Sequence, residues 1–331
     1  MRKKLPLGGK GENPIPNFNF KPEREKKIEL QENLPSEPQL NFQENATGIP
    51  PTWQEFLEAL KIKQERLGRE NREQQFANLS IKSQLPIGIV LTSDWHLGGR
   101  GTDYDTWERH MELIKNEPLA YMIPLSNTID NFIFPSGMFE QMENPASQQR
   151  MVKNFAEDFS DKILAIVGSN CHEGWTKKTT NIDPNYLMFE DNINKGIPWL
   201  PVGGVLDVNL NGFSYKIGLV HKARYNSSLN PTNPGHRIHD LKWPVDIVAI
   251  AHSHVKQVLH SNKYEGDFEK ELIIFRTGAY EVKSDFLEGE GWGQGQIGSP
   301  IAILMPDRKH VIPFYALEDG IDYLRNYRKT H

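Results

Sequence analysis

IGIVLTSDWH, residues 87–96, opens as an apolar run and ends on an aspartate and a histidine two positions apart. A run of this kind suits a strand covered on both faces of a sheet. LAYMIPL at 119–125, KILAIVG at 162–168 and DIVAIA at 246–251 share its texture. TWERHMELIKN (106–116) and SQQRMVKNFAEDF (147–159) read as helices between the first three of these strands. VLDVNLNGFSYKIGLVH (205–221) differs, because its Asn211-Gly212 pair suits a tight hairpin turn. ELIIFRTG (271–278) and IAILMPDRKHVIPFYAL (301–317) supply further strands. Both textures in one domain predict an α/β fold: two mixed sheets packed face to face with helices outside.

The buried runs and the hairpin lead into residues able to hold a metal ion. In order these are Ser93-Asp94-Trp95-His96, Ser126-Asn127-Thr128-Ile129-Asp130, Gly168-Ser169-Asn170-Cys171-His172-Glu173, His221 after the hairpin, and Ala251-His252-Ser253-His254. Ligands at strand ends are what a rigid multi-metal site requires, since loops alone hold them too loosely. In Asp94-x-His96 and His252-x-His254, alternate residues of an extended segment point the same way, so each pair could grip one ion or two neighbours. A lone D-x-H or H-x-H is commonly chance. A fixed series of such pieces, each at a strand end, is not.

This order resembles that of the calcineurin-like metallophosphoesterases: D-x-H, G-D-x-x-D, G-N-H-[D/E], a lone His, and G-H-x-H. The resemblance covers residues 86–320 of the chain. It implies a four-layer α/β/β/α sandwich, hydrolysis of phosphoesters, and two divalent ions, with manganese favoured and iron or zinc the alternatives. Matched by position, Asp94, His96 and His254 would hold the first ion, and Asn170, His221 and His252 the second. Asn127 stands at the bridge between them, and His172 is the implied acid for the leaving oxygen. The mixture of carboxylate, amide and imidazole suits borderline metals rather than copper(I) or calcium.

Two departures stand out. PLSNTIDNF (124–132) carries Ser126-Asn127 where the family has Gly-Asp. A carboxylate between two dications offsets their repulsion, whereas an amide brings one carbonyl oxygen and no charge. Weaker occupancy of at least one metal site and a slower enzyme are expected, with Asp130 a supporting partner or else a compensating ligand. Cys171 also separates Asn170 from His172, which the family usually keeps adjacent. Either the loop bulges and His172 keeps the acid role, or Cys171 takes the acid's place. The thiol itself reads as a small buried group, with a thiolate ligand the alternative.

Composition bounds the rest. At 331 residues, 37% hydrophobic and 24% charged, the chain is ordinary for a soluble protein. No run approaches the ~18–20 apolar residues that cross a bilayer. MRKKLPLGGKGENP has no apolar core behind its basic residues, so no signal peptide is read. Cys171, the single cysteine, excludes an internal disulfide framework and favours a reducing compartment. The cytoplasm of a bacterial or phage-infected cell is the expected location. A net charge of −5 leaves any nucleic-acid partner to a local basic patch.

Residues 1–50 read as a flexible, partly basic arm, in whose first part Arg2, Lys3, Lys4, Lys10, Lys21, Arg24, Lys26 and Lys27 face only Glu12, Glu23 and Glu25. Residues 51–82 read as a charged amphipathic helix, with Thr52 and Glu55 at capping-box spacing. Its stripe of Trp53, Phe56, Leu57 and Leu60 would pack on the main domain or a protein partner. The phosphoesterase domain is set at 83–325. Arg100, Asp103 and Tyr104, and beyond the hairpin Lys222 and Arg224, are candidates to touch substrate. RTGAYEVKSDFLEGEGWGQGQIGSP (276–300) is either a plain loop or a lid whose Tyr280, Phe286 and Trp292 stack on bases. His110, His236, His239, His260, His310 and His331 fit no ligand pattern and are placed on the surface. The resulting reading is a two-metal phosphodiesterase acting on DNA, similar to the DNA-repair and bacteriophage-type nucleases of the superfamily. The alternatives are a phosphatase or phosphodiesterase of small nucleotides or phosphoproteins, and a catalytically disabled binding protein.

Overall fold

The computed structural model describes residues 17–19, 52–134, 138–224, 230–265, 268–283, 288 and 295–331. Its strands, in chain order, are β1 (Asn17–Asn19), β2 (Phe76–Lys82), β3 (Ile87–Thr92), β4 (Ala120–Pro124), β5 (Ile166–Val167), β6 (Trp199–Leu200), β7 (Gly204–Leu210), β8 (Phe213–Val220), β9 (Ile247–Ile250), β10 (Gln257–Glu265), β11 (Phe268–Arg276), β12 (Ile301–Leu304) and β13 (Val311–Phe314). One sheet runs β1-β2-β7-β8-β9-β11-β10 and the other β13-β12-β3-β4. Both are mixed: β3/β4 and β8/β9 are parallel, whereas β7/β8 and β12/β13 are antiparallel. A Met122–Ile163 bridge and the β5/β6 pair carry the second sheet onward past β4.

The side-chain alternation of each strand builds the layers. Ile87, Ile89 and Leu91 of β3 point to the centre, where they meet Leu206, Ile217, Ala249 and Phe275 of the other sheet. Val90 points the other way, into a second core with Trp107, Met111, Val152, Ile321 and Leu324. The helices Tyr104–Asn116, Pro145–Asp158 and Leu317–Thr330 thus cover that sheet's outer face. Gly88 lets the last of these approach, since a Cβ there would lie 2.9 Å from Leu324 Cδ1. Trp243, Val248 and Ile274 form a third core, with Ile238 of the helix Asn233–Leu241 against it. The result is the expected four-layer α/β/β/α sandwich.

The N-terminal reading needs correction. The helix spans Trp53–Glu73, and Phe76–Lys82 is β2 rather than helix, so the sheets begin before residue 83. Leu79 and Ile81 are buried on alternate positions of that strand, a two-residue period that outweighs the helical propensity of the charged stretch before it. The capping box is present, with Thr52 N–H donating to Glu55 at 2.7 Å and Glu55 N–H to Thr52 Oγ1 at 3.3 Å. The stripe of Trp53, Phe56, Leu57 and Leu60 is exposed rather than packed on the sandwich. Most of the 1–50 arm lies outside the described residues, but Asn17–Asn19 pairs antiparallel with Ser80–Lys82 as an edge strand. Among the described residues no helix is long and apolar enough to cross a membrane.

His110 is buried, contrary to its surface placement, with Nδ1 2.8 Å from Tyr280 Oη and Nε2 3.1 Å from Glu318. His239 is buried beside Asp240. Arg109 also reaches Glu318, at 2.6 Å, tying the helix Leu317–Thr330 to Tyr104–Asn116. Burial alone would raise the Glu318 carboxyl, but its own backbone N–H at the helix start, Arg109 and His110 bring it down to about 2. A carboxyl depressed in the folded state contributes stability above its unfolded pKa of 4.5 that is lost as pH falls toward about 2. Glu318→Gln is therefore expected to cost roughly 0.5 kcal/mol at pH 7, discounted for the partial exposure of the pair. Thermal melts against pH should show that deficit closing below pH 4.5; a constant deficit would rule out the ionic origin.

Candidate metal centre

The C-terminal ends of β3, β4, β8 and β9 deliver their polar residues to one place. Asp94 is its hub: Oδ1 lies 3.8 Å from His96 Nε2, 3.6 Å from His254 Nε2 and 3.9 Å from His221 Nε2. Two sets of donor atoms follow, each mutually within 4.8 Å: Asp94, His96 and His254 in one, and Cys171, His221 and His252 in the other. His96, Asp130 and His172 form a third such group.

The loops that present these groups are bonded to one another. Asp94 N–H donates to Ser126 O, His96 N–H to Asn127 O and Leu97 N–H to Thr128 O, each at 3.1 Å, extending the β3/β4 register past the strands. The expected extended alternation is not how the side chains converge. Asp94, His96, Ser126, Asn127, Asn131, His172, His252 and His254 all have positive φ, eight of the ten non-glycine residues that do among those described. Such left-handed backbone is costly for residues with a Cβ and collects where a site demands it. The curl lets Asp94 and His96 share one set, while His254 joins them and His252 turns to the other.

Whether an ion fits can be judged from the donors. His221 Nδ1 donates to Leu125 O at 2.7 Å and His96 Nδ1 lies 3.3 Å from Asp130 Oδ1, leaving both buried Nε2 atoms without a hydrogen bond. An outer partner on one ring nitrogen and a bare nitrogen facing inward is the habit of ligating histidines. Burial alone would raise the Asp94 carboxyl, but His221, His254 and His96 hold it well below the ordinary carboxylate range. Burial would lower His96, yet Glu281, Asp130 and Asp94 keep it well above the usual histidine value, as expected where negative groups surround a place meant for a cation. Burial is the main cause that pushes His252 down to about 3, and burial likewise lowers His221, so both are neutral ligands at neutral pH. The residues fit a divalent cation.

Asn127 lies beside the hub, but with its amide turned away from a bridging role. Nδ2 donates to Asp94 Oδ1 at 3.0 Å, while Oδ1 accepts from Ser169 Oγ at 3.4 Å. To offer oxygen to an ion beside Asp94 the amide must turn over. Asn170 is exposed, and its backbone carbonyl accepts from Lys178 Nζ at 2.9 Å. The thiol of Cys171, the next residue, lies beside His221 and His252. The turn is held by Ser169 Oγ, which accepts from Cys171 N–H at 2.8 Å, and by Gly174, where a Cβ would lie 2.5 Å from Ser169 O. Burial raises the thiol above its ordinary value, so without an ion it is protonated.

His172 sits over the first set, edge-on to His96 at 4.5 Å and stacked on Trp175 at 4.4 Å. Its Nδ1–H donates to Asp130 O, and burial together with His96 holds its pKa well below the histidine range. Of the substrate candidates, Tyr104 is engaged internally, its hydroxyl accepting from Gly98 N–H at 3.0 Å and donating to Gly99 O at 2.9 Å. Asp103 caps its helix through Thr106 N–H at 3.0 Å. Arg100, Lys222 and Arg224 are exposed, and the Lys222 charge is felt by Cys171 and His252. Tyr280 is fully buried rather than a stacking platform; Phe286 and Trp292 lie outside the described residues.

Three further residues shape the centre, of which the strand-end series contains only Glu173. Glu173 is fully buried and accepts from Thr128 N–H at 2.8 Å, latching one ligand loop to the next. Its position after His172 matches the [D/E] of the resemblance, so the signal was there. Arg276 is buried beneath the last ligand pair, donating to Pro231 O at 2.7 Å and to Ser253 Oγ. Glu281 lies 3.7 Å from His96 Nε2 and 3.8 Å from His254 Nδ1. Nothing local in the sequence marks either of the last two.

The resemblance to calcineurin-like phosphoesterases thus extends from motif order to sandwich. No family model matches the chain, and no curated protein matches it in sequence. Among solved structures it is similar to Vps29 from Entamoeba histolytica in complex with zinc, at 11% identity over 69% of this chain and 97% of that one, with a TM-score of 0.32. It is also similar to the nuclease MPE of Pseudomonas putida, at 14% identity over 68% and 87%, TM-score 0.29. The calcineurin-like phosphoesterase YfkN of Bacillus subtilis matches at 12% identity over 73% and 100%, TM-score 0.28.

Proposed function

We propose that this chain is a metal-dependent phosphodiesterase whose substrate is nucleic acid, with DNA favoured. The observation that carries the hydrolytic reading is Asp94 Oδ1 held within 3.9 Å of three imidazole nitrogens from three separate strand ends. Asp94, His96 and His254 would hold one divalent ion, and His221, His252 and Cys171 a second, with manganese favoured over iron or zinc. When bound, such a pair supplies an activated water and offsets charge on the phosphate. His172 keeps its Nδ1–H on Asp130 O, so Nε2 would take the proton that the attacking water loses and pass it to the leaving oxygen. Trp95, buried between two of the ligands, keeps them in register.

The preference for nucleic acid is supported by the aromatic wall beside His172. Trp175 stacks on it, Phe132 and Phe134 lie 5.2 and 5.3 Å from Trp175, and Phe134 is exposed. Bases stack on such faces without regard to sequence. The basic first part of the arm adds phosphate affinity. A second reading, a binding protein without turnover, draws on the Asn127 amide that offers Asp94 a donor instead of a charge.

The test is manganese-dependent hydrolysis of a chromogenic phosphodiester by this chain and by Asn127→Asp. The chain is expected to turn over slowly and the variant about tenfold faster or more, since a carboxylate there removes repulsion between two dications. Without metal the same variant should melt lower, because it sets a second carboxylate against Asp94 in place of a hydrogen-bond donor. If neither protein hydrolyses the ester with manganese, zinc or iron, catalysis is lost as a reading and binding takes its place.

A further inference from the structure

We propose that Glu281 brings to the first ion the carboxylate charge that Asn127 leaves out of the site. The inference rests on the metal reading of the centre but goes beyond the residues that the motif order names. Glu281 belongs to no ligand segment; it follows β11 by several residues, in a stretch otherwise read as a loop or lid. Its Oε2 nevertheless lies 3.7 Å from His96 Nε2 and 3.8 Å from His254 Nδ1, and the residue is only 7% exposed.

The fold sets it there deliberately. Tyr280 N–H donates to Asp94 O at 2.9 Å, Asp103 N–H to Tyr280 O at 2.8 Å, and Val282 N–H to Gly101 O at 2.9 Å. Thr102 and Glu281 pair as a bridge, so the backbone around Glu281 is laced to the loop that carries Asp94 and His96. Gly101 is what allows this, since a Cβ there would overlap the Lys283 carbonyl oxygen. A carboxylate so buried is costly unless a positive partner compensates it. Among the described residues no lysine or arginine pairs with Glu281; its ionic neighbours are the two imidazoles of the first set. At His96 the two carboxylates divide the ring: Asp130 approaches Nδ1, whereas Glu281 approaches Nε2, the nitrogen that faces Asp94. The opening left by a neutral Asn127 is therefore matched by a carboxylate on the His96–His254 side of the same ion.

Calorimetric titration of manganese into the metal-free full chain tests this without reference to turnover. E281Q is expected to weaken the tighter binding by about 10–100-fold, the range seen when a group supporting a metal ligand is removed. Adding N127D to E281Q should restore affinity to within about tenfold of the parent, because a carboxylate charge returns to the centre beside Asp94. E281D, which keeps the charge, should stay within about tenfold as well, and serves as the readout if E281Q does not fold. Unchanged binding in E281Q, a loss in E281D as large as in E281Q, or a loss that N127D leaves unrepaired would each overturn the role of Glu281. A parent chain that takes up no manganese would instead overturn the metal reading beneath it, and this inference with it.

Discussion

Asp94→Ala is expected to lower manganese-dependent hydrolysis by roughly 10³-fold or more, as removal of one member of a catalytic unit commonly does. Asp94 lies beside donors of both sets. Oδ1 faces His96, His254 and His221 between 3.6 and 3.9 Å, and Oδ2 accepts from Ser93 Oγ at 2.7 Å and His252 N–H at 3.0 Å. Its loss strips negative charge from a buried cluster of imidazoles and releases the loop that carries His252. Metal affinity should fall with activity, which calorimetry would show. Asp94→Asn separates the two contributions: it keeps the shape and most hydrogen bonds but removes the charge, so a folded, inactive, metal-poor protein is the expected product. Retention of hydrolysis within about tenfold in both variants would place the reaction elsewhere.

Trp95→Ala is expected to destabilise the fold by about 3–5 kcal/mol, the usual cost of deleting a large buried aromatic. Trp95 lies between two proposed ligands in sequence yet points into the helical layer, fully buried. It meets Trp107 edge-on at 5.7 Å and Phe155 at 5.2 Å, and its Nε1 donates to Thr92 Oγ1 at 2.7 Å. That anchor holds the curled Asp94–His96 loop against the sheet. Thermal melts should show Tm falling by roughly 10 °C. Trp95→Phe, which keeps ring packing but abandons the Thr92 hydroxyl, should cost nearer ~1 kcal/mol. Manganese should stabilise Trp95→Ala less than the parent chain, because the ligands it would join are no longer held in place. An alanine variant with parental Tm would mean that the helical layer reseals without the ring.

How far the site could be read from sequence varied with the range of the interaction. Asp94, His96, His221, His252 and His254 stand at the ends of apolar runs, and apolar runs announce strands locally. β2 is hard to see in the sequence because the charged helix before it runs almost directly into FANLSIK, and three alternating apolar residues are a faint signal beside a long helical one. Local pattern places His110 on the surface and Tyr280 in a loop or lid, yet they bond to each other in the core, 170 positions apart. Cys171, read as a small buried group with ligation the alternative, lies with His221 and His252, residues that only the fold brings beside it.

Residue order alone thus established two mixed sheets, the strand-end series of metal-competent groups, and the missing carboxylate at Asn127, since each is written in a stretch of a few residues. Only the folded chain decided that Asp94 is the hub, that His252 and His254 part company, that Cys171 joins His221 and His252, and that Glu281 lies beside His96 and His254. Those outcomes depend on left-handed backbone at single residues and on hydrogen bonds between loops far apart in the chain. Contacts of that kind are set by how whole sheets pack, and no local pattern of residues encodes them.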